Sequence, residues 1–107
     1  MNTKFVMDGK VAVLLTRGIG TGWSTLNKFA APDCIFDVET VLWVLAGKDS
    51  KTQPDFLSKF GDEFYIGTNV LNLCVDYVYS GSPFQIVADE RRDGWEYLVI
   101  QEPWLVA

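Results

Sequence analysis

No histidine occurs anywhere in the 107 residues. That removes Ser-His-Asp and Cys-His catalysis at once, and with them most zinc sites. Cysteine is almost as scarce. Cys34 and Cys74 lie far apart in sequence and are expected to act as small buried hydrophobes rather than as a disulfide. Basic residues are few, 9 against 14 acidic, for a net charge of -5, and the one compact cationic pair, Arg91-Arg92, is flanked by Asp89, Glu90 and Asp93. Proteins that bind phosphate backbones normally carry a basic face, so the balance argues against direct nucleic-acid binding. Long apolar runs are missing too. Val11 to Leu15 is followed by Arg17 and glycines, well short of the ~20 residues a membrane span needs. Met1 to Gly9 is polar and shows no signal peptide, so a cytoplasmic protein is expected. Repeats, linkers and low-complexity segments are also lacking, which leaves residues 1-107 as a single domain.

What the chain does have is apolar material, 49 % of residues with 14 % aromatic, and one unusual stretch, Lys10 to Asn27. Val11 to Leu15 reads as a strand covered on both faces. Three glycines at alternate positions follow, Gly18, Gly20 and Gly22, and then Trp23-Ser24-Thr25-Leu26-Asn27. A strand running into glycine-rich backbone is how dinucleotide and P-loop sites begin. Here Trp23 occupies the place of the third fingerprint glycine, and no Gly-Lys-Ser/Thr ending is present. Ser24 sits in an imitation of a nucleophile elbow that lacks the closing glycine and a histidine base. What remains is a loop of exposed N–H groups with Arg17, Ser24, Thr25 and Asn27 beside it and Trp23 as a stacking surface. Such a loop (Arg17, Gly18, Gly20, Gly22, Trp23, Ser24, Thr25, Asn27) suits an anion or a nucleotide-like, phosphate-bearing ligand. The competing and preferred reading is a tight structural loop whose Trp23 fills the core.

The remaining elements follow from local rules. Asp8-Gly9 is a turn. Asp37 is an N-cap for a helix through Ala46, with Gly47 at its left-handed C′ position and Val38, Val41, Leu42 and Leu45 as its buried stripe. A second short helix covers Asp55 to Phe60, with Phe56, Leu57 and Phe60 on one face. Strands are expected at Phe64–Ile66, Val70–Tyr79, Phe84–Arg92 and Trp95–Gln101. Asp93-Gly94 favours a two-residue type I′ hairpin, which sets Arg91 opposite Glu96, Ala88 beside Val99 and Val87 beside Ile100. The result is an α+β fold, a mostly antiparallel sheet with one or two helices packed on one side. The tail, Trp104-Leu105-Val106-Ala107, is too apolar to be solvated. With Trp95 and Tyr97 it is expected to form a partner or dimer surface, so a homodimer is expected, with subunit contact preferred to internal docking.

The segment Gly20-Thr21-Gly22-Trp23-Ser24-Thr25-Leu26-Asn27, placed after the first apolar strand, resembles a loop in a set of small phage-encoded proteins of undefined role. Those proteins also carry an acidic-capped helix ending in Ala-Gly, like Val41 to Gly47, and a C-terminal sheet. This chain has Leu26 where the pattern commonly has a second tryptophan. The resemblance brings no catalytic residue, metal or cofactor with it. It implies a non-catalytic phage or mobile-element accessory protein that binds and blocks a host protein, or one that holds a small phosphorylated signal. A hydrolase built on carboxylates alone is the third possibility, because sequence does not show which side chains converge.

Overall fold

The computed structural model describes residues 3–18, 22–66, 69–89, 91, 95–100 and 105–107. It is α+β, with two antiparallel three-stranded sheets in place of the single sheet expected. β1 (Val6–Met7), β2 (Lys10–Thr16) and β3 (Leu73–Tyr79) form the first sheet in the order β1-β2-β3. β4 (Pro83–Asp89), β5 (Trp95–Ile100) and β6 (Leu105–Val106) form the second in the order β5-β4-β6. Between β2 and β3 the chain forms three α-helices, α1 (Asp33–Phe36), α2 (Val38–Leu45) and α3 (Phe56–Phe60). Among the described residues no helix is long and apolar enough to cross a membrane.

Several elements form where local chemistry puts them. Asp8 and Gly9 have φ of 54° and 75°, which makes the β1–β2 connection the two-residue turn whose twist suits a hairpin. Val11 to Thr16 are all buried, because α1, α2 and β5 all pack on β2. The Asp37 carboxylate accepts from Thr40 N–H at 3.1 Å and caps α2, and Gly47 takes φ 107° behind it. Asp55 caps α3 in the same way through Ser58 N–H.

Several expectations are corrected. The buried stripe of α2 is Thr40, Val41 and Trp43, whereas Leu42 and Leu45 are 49% and 50% exposed. Thr40 can turn inward because its hydroxyl donates to Asp37 at 2.6 Å, and Trp43 because its indole N–H donates to Asp49 O at 2.8 Å. With those polar atoms satisfied, the helix rolls to bury the larger indole. Leu57 is likewise exposed, while Phe56 and Phe60 stack. Phe64 to Ile66 is not a strand, and β3 begins only at Leu73, after a 3₁₀ turn over Asn69–Asn72.

The hairpin register also differs from the expected one. Ala88 pairs with Glu96, Val87 with Tyr97 and Phe84 with Ile100, three residues away from the expected pairing. An odd slip moves every side chain to the opposite face, so Glu96 shares the inner face of β4 with Phe84 and Ile86, not the outer face with Arg91. The Asp93-Gly94 turn lies outside the described residues. The tail docks on its own sheet: Leu105 pairs with Phe84, Ala107 N–H donates to Ser82 O at 3.0 Å, and Leu105 and Ala107 are buried. Leu105 is therefore packed into the core of its own chain. β4 leaves one edge unpaired by β5, and the ladder gained there explains the docking.

Candidate functional site

The loop after β2 is organised by a carboxylate from elsewhere in the chain. Glu96 is 0% exposed. Its Oε1 accepts from Thr16 N–H at 2.8 Å and Thr16 Oγ1 at 3.2 Å; its Oε2 accepts from Trp23 N–H at 2.9 Å, Thr25 N–H at 3.0 Å and Thr25 Oγ1 at 2.6 Å. Three backbone donors and two hydroxyls thus converge on one side chain. Thr16 donates from the edge of β2 that β1 is too short to cover, so the same carboxylate closes a sheet edge. Burying an acid without a cation is tolerable only when its lone pairs are filled this way.

The other side of the loop faces aromatic rings. Trp23 is fully buried, its indole N–H donates to Cys34 O, and its ring meets Phe56 and Phe64 edge-to-face at 5.2 and 5.0 Å. It fills the core and offers no stacking surface. Asn27, also fully buried, works as a one-residue strand: its amide donates to Tyr65 O at 3.1 Å and accepts from Tyr65 N–H at 2.7 Å. The amide also donates to Trp23 O at 2.8 Å, tying the loop to itself. Ser24 is buried, and its hydroxyl has no hydrogen-bond partner among the described residues; solvent does not reach it.

The remaining members of the predicted set separate. Arg17 points outward and pairs with Asp76 at 2.9 Å. Gly18 lies against Asn72, where an added Cβ would come within 2.5 Å of that side chain. Gly22 packs under Leu26, 2.8 Å from a would-be Cβ to Leu26 Cγ. Gly20 and Trp104 lie outside the described residues. So the structure does gather Trp23, Thr25 and their N–H groups round an anion, and that anion is internal. Sequence reasoning missed Glu96. Its signal is an acid at the position in Trp95-Glu96-Tyr97-Leu98 that shares a pleat face with Leu98, in a chain whose glycine-rich loop needs an acceptor.

Two other groups of titratable residues are engaged in structure. In a cleft of about 400 Å³ between α1, α2 and α3, Lys59 lies 2.6 Å from Glu39 and 3.3 Å from Asp37. Partial burial pulls its pKa down, but the two carboxylates outweigh that and raise it. Burial pushes the Cys34 thiol far above its ordinary range, and the Glu96 charge adds to the effect. Cys74 is raised by burial, opposed by Arg17. Both cysteines are free. Among the described residues no three acidic or thiol side chains gather as metal ligands.

Trp95 and Tyr97, expected at a partner surface, lie on the outer face of the second sheet with Val87 and Val99, where Tyr97 is 42% exposed and the others are half-buried. Comparison with protein-family models, curated proteins and solved structures gives no match.

Proposed function

We propose that this is a non-catalytic protein-binding module, and, on its resemblance to small phage proteins, that it binds and blocks a host protein. The observation that carries the reading is the outer face of the β4–β5 ribbon, which gathers Val87, Trp95, Tyr97 and Val99, with Tyr97 42% exposed and the other three half-buried. Aromatic residues on such a face are the usual anchors of protein interfaces. A phosphate-bearing ligand at the Gly18–Asn27 loop would have to displace Glu96 from the donors of Trp23 and Thr25.

Capture from bacterial lysate at low salt, followed by sedimentation of the purified pair, tests the reading. The expected result is one defined complex, weakened at least tenfold by Tyr97→Glu and unaffected by Leu42→Glu on the far helix. Retention of no protein, or equal retention by both variants, overturns it.

A further inference from the structure

Among the described residues the outer edge of β4 is only partly covered: β6 pairs with it at Pro83 and Phe84. Ser82 O faces that side, where it accepts from Ala107 N–H. The backbone of an antiparallel strand alternates, so the N–H and C=O of Phe84, Ile86 and Ala88 also point that way, and those of Gln85, Val87 and Asp89 point to β5. Phe84 meets Leu105. Ile86 and Ala88 then present their N–H and C=O groups to no strand among the described residues.

A cleft of about 460 Å³ runs along this stretch, lined by Thr25, Lys28 and the four consecutive residues Gln85 to Ala88, with no described residue of β5. One wall is a strand edge; the other is the loop that Glu96 holds in place through Thr25. Lys28 is the charged residue of the six, exposed, and its ammonium makes no contact among the described residues. We propose that this cleft takes one extended peptide segment of the partner protein, added as a strand to β4, with an acidic side chain reaching Lys28. The inference rests on the protein-binding reading and gives its partner a chemistry. Unpaired main-chain groups at alternate residues recognise an extended strand. A second copy of this chain would bring a sheet edge with its own neighbouring strand about 4.8 Å behind it, which a cleft that also has Thr25 and Lys28 in its lining would have to admit. A lone segment has no such flank. It would also continue the outer Val87–Tyr97 face by one strand.

The probe is a synthetic eight-residue peptide of alternating valine and threonine with one central aspartate, and the readout is amide hydrogen exchange by NMR. In the free protein, Ile86 and Ala88 amides should exchange at least tenfold faster than that of Val87, and the peptide should slow both at least tenfold. The same peptide N-methylated at alternate residues should do nothing. Lys28→Glu should weaken the aspartate peptide about tenfold and favour a lysine version. Ala88→Pro, which removes an outward N–H at an exposed position, should abolish the protection left at Ile86. The proposal is overturned if Ile86 and Ala88 are already as slow as Val87, if millimolar peptide slows neither, or if the N-methylated peptide works equally. Protection that rises with protein concentration in the absence of peptide would assign the edge to a second copy and overturn it as well. Host-protein capture that survives Ala88→Pro and Lys28→Glu but not Tyr97→Glu overturns strand addition and leaves the binding-module reading standing. Peptide protection without any host capture does the reverse.

Discussion

β3 and β4 are both seven-residue strands; β3 lies at the edge of its sheet, β4 is paired on its outer side at Pro83 and Phe84, and the chain treats those two sides differently. On β3, Ala12 N–H donates to Phe5 O, so Tyr77, opposite Ala12, turns its backbone outward. There the Tyr77 N–H is taken by the Asp76 carboxylate at 2.8 Å, and Lys48 Nζ reaches across from the end of α2 to the carbonyls of Leu71 and Leu73 at 2.9 and 3.1 Å. Charged side chains on an edge are a common defence against unwanted pairing. β4 has no equivalent at Ile86 and Ala88 among the described residues. The first sheet's edge is closed from within; the second sheet is anchored through Glu96, and among the described residues nothing pairs with Ile86 and Ala88 on that edge.

The largest test of that contrast is the anchor. Glu96→Ala removes the acceptor for five buried or part-buried donors and should destabilise the protein by about 3–5 kcal/mol, read by denaturant unfolding. A loss under about 1 kcal/mol would mean that the second sheet does not depend on this carboxylate.

Next comes alkaline pH, which reaches the same anchor through Cys34. The unfolded chain loses its thiol proton near the ordinary value of 9.0, while the folded protein retains it well beyond. A raised folded pKa contributes stability that is complete below the unfolded value and declines above it. Stability should therefore be level below pH 9 and fall by up to about 1.4 kcal/mol per pH unit above it. Cys34→Ala should make that limb shallower, leaving the part that the raised Cys74 thiol contributes. An unchanged slope in the variant would place the alkaline loss elsewhere.

The guard on β3 is a smaller effect. Lys48→Met should lower stability by about 0.5–1 kcal/mol, and its clearer signature should be association that grows with protein concentration, seen by sedimentation, because the edge has lost its cation. A variant that stays as monodisperse as the parent would show that Lys48 does not defend the edge. Smallest of all are Leu42→Ala and Leu45→Ala on the exposed side of α2, each within about 0.5 kcal/mol of the parent. A loss of 2 kcal/mol or more at either would restore the stripe read from the helical period.

Some of the fold was legible because the physics is local. The Asp8-Gly9 turn, the Asp37 cap and its Gly47 terminus, α3 behind Asp55, and the burial of β2 on both faces each depend on a few adjacent residues. The loop at Trp23 was also legible as backbone that wants an anion. Its place in the core could be weighed from residue type alone, since a tryptophan is mostly buried.

What the sequence by itself determined, then, is the inventory: which segments turn, cap, pleat or coil, and that donors gather after β2. What the tertiary structure decided is every pairing across distance. Glu96 meets its donors 71 to 80 residues away, and the gain from filling five of its hydrogen bonds sets the hairpin register against the nearby charge pair with Arg91, an exposed residue at a turn. The roll of α2 rests on nearer partners, three and six residues away: Thr40 and Trp43 can go inside only once Asp37 and Asp49 have satisfied their polar atoms. The tail likewise lies on β4 because an edge there was free to receive Leu105. Helical period and strand alternation state which side chains share a face. They do not state which face wins the core, because that choice rests on hydrogen bonds and contacts contributed by distant parts of the chain.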